Sequence, residues 1–120
     1  GKPMAGHLKS AGHDILVPER ASLSAESRAA FTVVADAKAV AQRAEVVILM
    51  VPDTPDVETA LFGSGGVAEG LSAGTLVIDM SSISPTATKT YAQKINALGC
   101  DYLDAPVSGG EVGARNAALT

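Results

Sequence analysis

Val46-Val47-Ile48-Leu49-Met50-Val51 is apolar at every position and is closed by Pro52-Asp53-Thr54-Pro55. Six residues rich in Val and Ile are too short for an ordinary helix and suit a strand. A strand without polar alternation is expected where both faces are covered, as in a parallel sheet lying under helices. This segment is therefore expected to be a central strand. Pro52 lacks the N–H a ladder needs, and Pro52-Asp53-Thr54-Pro55 ends the strand and starts a helix running through Leu61.

The same alternation extends on both sides. Downstream, Gly63-Ser64-Gly65-Gly66 follows a helix and lacks the Lys and Ser/Thr of a phosphate loop, so it reads as a plain loop. Thr75-Leu76-Val77-Ile78-Asp79 is the next strand, and Ser84-Pro85 starts a helix to Leu98. Ala87, Tyr91, Ile95 and Leu98 share its buried face, with Lys89, Gln93 and Lys94 away from it as solvated residues. Residues 101–104 form the last strand. Upstream, residues 1–11 read as a helix with Pro3 in its first turn and an apolar face of Met4, Leu8 and Ala11 against a sheet. Gly12 supplies its left-handed stop. Ile15-Leu16-Val17 and Thr32-Val33-Val34 are short strands separated by a weak helix over residues 21–31. Asp36 caps a helix carrying Ala37, Val40, Ala41 and Ala44.

Strand, helix and strand repeated in this way mean parallel strands with right-handed crossovers, hence an α/β, doubly wound parallel sheet of Rossmann type in one domain, 1–120. Ligands bind such sheets beyond the carboxyl ends of the strands. That rule gathers Pro18-Glu19-Arg20, Val51-Pro52-Asp53, residues 79–82 and residues 104–110 on one edge.

Composition narrows the partners. The 120 residues hold 47% hydrophobic side chains with a net charge of −4, and the nine Lys and Arg are scattered. There is no basic stripe for a phosphate backbone, so nucleic acid is excluded. No apolar run reaches the ~20 residues of a membrane span, so no membrane partner is expected. One cysteine, Cys100, cannot make an intrachain disulfide and fits a reducing cytoplasm. His7 and His13 have no companions at ligand spacing, so no metal is expected.

Leu103-Asp104-Ala105-Pro106-Val107-Ser108-Gly109-Gly110 is the richest block on the ligand edge. Pairing should stop near Pro106. The residues Ser108, Gly109 and Gly110 read either as an ordinary strand-to-helix turn or as a concavity of N–H groups and a hydroxyl that holds a small carboxylate.

This block, with Gly113-Ala114 after it, resembles the substrate-binding signature of the β-hydroxyacid dehydrogenases. Gly1-Lys2-Pro3-Met4-Ala5, Met50-Val51-Pro52-Asp53 and Ile78-Asp79-Met80-Ser81-Ser82-Ile83-Ser84-Pro85 resemble other blocks of that family in family order. The resemblance covers nearly the whole chain and implies hydride transfer from NADH or NADPH to the aldehyde carbon of a small 3-oxo acid. It implies that Ser108, Gly109 and Gly110 hold the substrate carboxylate. Gly1 stands as the last glycine of a Gly-x-Gly-x-x-Gly fingerprint, with the pyrophosphate at the following helix start. Val51 and Pro52 pass under the cofactor, and Ser82 lies near the nicotinamide ribose, unless Ser82 merely caps the next helix. Glu19 is placed to meet the adenosine ribose hydroxyls and Arg20 a 2′-phosphate, against the simpler reading of a surface ion pair; Glu19 tilts the choice towards NADH.

The resemblance also implies parts beyond these residues: a first strand, most of the phosphate loop, and a helical domain through which subunits pair into a homo-oligomer. The proton-donating lysine belongs to that domain, beyond Thr120, so no catalytic residue is assigned here and residues 1–120 alone are expected to be inactive. A non-catalytic dinucleotide-binding or protein-interaction module is the alternative of another class. In a 3-2-1-4-5-6 sheet the first strand is central, so without it the open edges must close on each other, recruit a second chain, or receive a strand from further sequence.

Overall fold

The computed structural model describes all 120 residues. Helix α1 (Lys2–Ser10) has Pro3 in its first turn and ends before Gly12, whose φ of 100° is the left-handed stop glycine permits. It is followed by β1 (Leu16–Pro18), α2 (Ala25–Ala30), β2 (Thr32–Val34), α3 (Ala37–Arg43) and β3 (Val46–Leu49). The second half holds α4 (Thr54–Phe62), a 3₁₀ turn (Val67–Glu69), β4 (Leu76–Asp79), α5 (Pro85–Asn96), β5 (Asp101–Asp104) and α6 (Gly110–Arg115).

The helix starts follow local side-chain chemistry. Asp36 accepts the Ala39 N–H at 2.8 Å, and Ser84 accepts the Ala87 N–H. Asp53 and Asp56 form a reciprocal capping box at α4. Helix α2 is shorter than its expected 21–31 span because Ser24, four residues in, is the cap.

All strand pairs are parallel, and they form two separate ladders. One is β1-β2; the other is β3-β4-β5, in straight register from Val46, Leu76 and Asp101 to Leu49, Asp79 and Asp104. No ladder joins β1 to β3, the place where a 3-2-1-4-5-6 order puts its first strand. The two halves do not close on each other.

One apolar cluster holds the second half together. Val47 and Leu49 of β3 and Val77 of β4 pack with Val57 and Leu61 of α4, Tyr91 and Ile95 of α5, Ala41 and Cys100. Here the sequence expectation is corrected. Residues 46–51 are not covered on both faces, since Val46, Ile48 and Met50 remain 45, 41 and 40% exposed. Strand pleat sends alternate side chains to opposite faces, and helices lie over only one of them. Helix α1 likewise buries none of its residues, and Leu98 is exposed because α5 ends at Asn96, before that position. Lys94, expected to be simply solvated, sets its ammonium 4.8 Å over the Phe62 ring.

The loop of residues 63–70 is the plain connection expected, and it packs against α3: the Lys38 N–H donates to the Gly65 carbonyl at 2.8 Å. A Cβ added at Gly70 would lie 2.1 Å from the Lys38 carbonyl oxygen, although φ there is an ordinary −110°. Gly70→Ala in the full-length protein is therefore expected to cost about 1–3 kcal/mol of stability through overpacking. Gly6→Ala, in α1 with nothing within 4 Å, is expected to gain about 0.5–1 kcal/mol. Denaturant melts of both variants check the pair, and equal effects would contradict the packing assigned to this loop.

Candidate functional site

The carboxyl ends of β3, β4 and β5 lie side by side because their ladders are in register and parallel. The segments that leave them, 50–53, 80–84 and 105–110, form the edge expected from the sequence. Helix α1 joins them: a Cβ built on Gly1 would touch Met50 at 3.9 Å, so the start of α1 rests on the exit of β3. Across from it, Gly1, Met4, Met50, Val107, Gly110 and Glu111 line one cleft of about 330 Å³.

Each expected site residue can be placed. Gly1 is the N-cap of α1 and offers no side chain to it; the Lys2 and Met4 N–H groups donate to no protein acceptor. Unpaired amides at a helix start suit an anion, so α1 fits the pyrophosphate of a dinucleotide. The Val51 N–H donates to the Ser81 Oγ at 3.0 Å, and Pro52 is exposed beyond it. Ser82 is exposed and its hydroxyl bonds to nothing in the chain, whereas the cap of α5 is Ser84. The competing capping role for Ser82 is thus filled two residues later.

At Ser108-Gly109-Gly110 the structure modifies the expectation. The Ser108 N–H is taken by the Thr120 carbonyl at 2.8 Å, and the Thr120 N–H returns to the Ser108 carbonyl at 3.0 Å. The Ser108 hydroxyl and the Gly109 and Gly110 amides remain without partners in the chain, so these are the groups that could hold an anion here. Gly109 has φ 131°, which favours glycine, and a Cβ there would also press on the Leu119 side chain at 3.1 Å. The returning chain was not foreseen because it needs residues 117–120 to fold back.

Glu19 and Arg20 lie after β1, away from the main cleft. Glu19 is not free: the Arg28 guanidinium donates to both its oxygens at 2.5 Å, across an exposed surface. This fork holds the Glu19 carboxyl below its ordinary range and raises Arg28. Arg28 was missed in the sequence, being nine residues away on α2. Glu19 does form a surface ion pair, but with Arg28 and not with Arg20. Lys2 similarly pairs with Glu26 at 2.7 Å, tying α1 to α2. His7 lies against α6, its Nε2 2.9 Å from the Ala114 carbonyl.

Beneath the edge lies a group the sequence reading did not single out. Asp79 is 1% exposed and its carboxylate accepts the Tyr102 hydroxyl at 2.9 Å and the Ser81 N–H at 2.9 Å. Burial, then the bond to Asp79, pushes the Tyr102 phenol well above its ordinary range, so it stays a donor. The one clue available was an Asp ending an otherwise apolar strand; its partner Tyr102 stands two positions back on β5, opposite Val77.

Comparison with known proteins agrees with the fold. The profile described as the NAD binding domain of 6-phosphogluconate dehydrogenase matches residues 1–120. The 2-hydroxy-3-oxopropionate reductase of Escherichia coli (strain K12) is 46% identical over 121 residues, covering all of this chain and 41% of that protein. The mitochondrial 3-hydroxyisobutyrate dehydrogenase of Drosophila melanogaster is 37% identical, with 37% of it covered. Among solved structures, a 3-hydroxyisobutyrate dehydrogenase from Salmonella typhimurium superposes with a TM-score of 0.88 at 28% identity, over 100% of this chain and 42% of that one. The chain thus spans about two fifths of the length of the relatives it matches. No helix is long and apolar enough to cross a membrane. A Rossmann-type sheet with these blocks along its ligand edge, matched from end to end by that profile, belongs to the NAD-binding domain family of 6-phosphogluconate dehydrogenase, among the β-hydroxyacid dehydrogenases.

Proposed function

We propose that this chain is the cofactor-binding part of an NAD(P)H-dependent reductase that converts 2-hydroxy-3-oxopropanoate (tartronate semialdehyde) to glycerate. The observation that carries the reading is that the α1 start (Gly1, Met4), the β3 exit (Met50) and the turn residues Val107 and Gly110 line one cleft, with Ser108 and Gly109 in the same turn. The identity of 46% with a reductase of that name supports the substrate. Relatives named 3-hydroxyisobutyrate dehydrogenase lie at 32–37% identity and make the corresponding semialdehyde, like succinic semialdehyde and glyoxylate-type substrates, the comparison to run.

In this reading the Lys2 and Met4 amides hold the cofactor pyrophosphate, and Val51, Pro52 and Ser82 bound its nicotinamide end. When bound, the dihydronicotinamide supplies a hydride for the aldehyde carbon. The Ser108 hydroxyl with the Gly109 and Gly110 amides holds the substrate carboxylate, which fixes the distance from that anchor to the reacting carbon. No lysine lines the cleft. The proton that neutralises the alkoxide comes from a lysine outside residues 1–120, in a helical domain that also pairs the subunits. At the adenosine end, Glu19 accepts from the ribose hydroxyls with its remaining lone pairs while Arg28 holds it in place. NADH is the preferred cofactor, since an ionised Glu19 beside a 2′-phosphate is unfavourable. Arg28 and Arg20 soften that preference without reversing it.

Two predictions test the two ends of the site in the full-length protein. Ser108→Ala should raise KM for tartronate semialdehyde about tenfold, the loss of a hydrogen bond to a charged group, while the NADH Kd changes little. A matching loss of NADH affinity would show that the serine serves the cofactor. Arg28→Ala should weaken NADPH binding more than NADH binding. It should also return the Glu19 carboxyl towards 4.5, its ordinary value, from below. The sign follows from the lowered value: the ion pair contributes above the free-glutamate pKa and is lost as pH falls through the folded one. A carboxyl titration by NMR that finds Glu19 unchanged in Arg28→Ala would contradict the pairing.

A further inference from the structure

We propose that Asp79 is a positioning residue for the reaction, a buried clasp that sets the exits of β3, β4 and β5 relative to one another. The inference rests on the reading above and extends it to a residue that touches neither cofactor nor substrate. Asp79 links three strands. On its own strand, Oδ1 accepts the Ser81 N–H at 2.9 Å and fixes the turn out of β4. Toward β5, Oδ2 accepts the Tyr102 hydroxyl at 2.9 Å, and the Asp79 backbone carbonyl accepts the Ala105 N–H at 2.8 Å. Toward β3, Ser81, itself 3% exposed, uses its hydroxyl oxygen to accept the Val51 N–H at 3.0 Å, and the Met80 N–H donates to the Leu49 carbonyl at 2.9 Å.

A carboxylate 1% exposed and without a cationic partner is an expensive way to fill a core position. An aliphatic side chain would pack there without that penalty, so burial alone does not account for it. What the carboxylate adds is direction: it holds the Ser81 backbone N–H, and with it the residue whose hydroxyl oxygen accepts the Val51 N–H and so fixes the Met50-Val51 peptide just before Pro52. Ser82, next along the chain, keeps its hydroxyl free at the edge. The exit of β5, through Ala105, leads to Ser108. One buried group thus fixes the spacing between the nicotinamide side and the carboxylate anchor, the quantity on which hydride transfer depends steeply.

The test uses Tyr102→Phe, Ser81→Ala and Asp79→Ala in the full-length protein, assayed with NADH and tartronate semialdehyde well below every melting midpoint. Each should lower kcat by about tenfold to a hundredfold and raise the primary isotope effect from 4-deuterated NADH, with a much smaller change in substrate KM. Amide exchange at Val51 and Ser81 should quicken at least about tenfold in Ser81→Ala and Asp79→Ala, respectively. If Asp79→Ala does not fold, the two milder variants decide. Lower melting points with unchanged kcat and isotope effect would overturn the proposal and leave Asp79 as a stabilising residue. If the unmodified protein fails to oxidise NADH with this substrate, the reductase reading falls instead, and the clasp stands or falls on the exchange rates alone.

Discussion

The in-register parallel ladder of β3, β4 and β5 is the constraint on which the rest depends. Because Val46, Leu76 and Asp101 align at one end, Leu49, Asp79 and Asp104 align at the other, and three loops must emerge together. Parallel strands also force each connection to cross the sheet, which places α4 and α5 over one face and makes that face the core. The ligand edge is thus a consequence of strand direction before any particular residue is considered. Pro52, Ser82 and Ser108 acquire their places from it.

Within that frame, polar chemistry is concentrated where the ladder ends. Ordinary core positions of the sheet, Val47, Leu49 and Val77, are apolar; the last position of β4 is a buried carboxylate satisfied by a phenol and an amide. No buried side-chain polar atom is left without a partner. By contrast, groups at the α1 start and in the segments leaving the strands are unspent: the Lys2, Met4, Gly109 and Gly110 amides and the Ser82 and Ser108 hydroxyls bond to nothing in the chain. Satisfied polar groups below and unsatisfied ones above are what a binding edge requires, since only the latter have hydrogen bonds to give a ligand.

Much of this was legible in the sequence because its signals are local. Asp36 and Ser84 declare helix starts within three residues, Gly12 a stop, and Pro52 the end of a strand. What was not legible depends on distance. The apolar run at residues 46–51 shows which environments it tolerates, but whether Ile48 and Met50 are covered depends on what packs over them. Arg28 on Glu19, Tyr102 on Asp79 and Thr120 on Ser108 are contacts between residues 9, 23 and 12 positions apart, made only once the sheet and the closing turn exist.

The measurement that bears most directly on the central claim is a crystal structure of the full-length protein with NAD⁺ and glycerate bound. The account places the pyrophosphate on the Lys2 and Met4 amides, the nicotinamide beside Val51, Pro52 and Ser82, and the glycerate carboxylate on Ser108, Gly109 and Gly110. Dinucleotide bound at the opposite, amino-terminal end of the strands, or glycerate anchored away from Ser108, would contradict it.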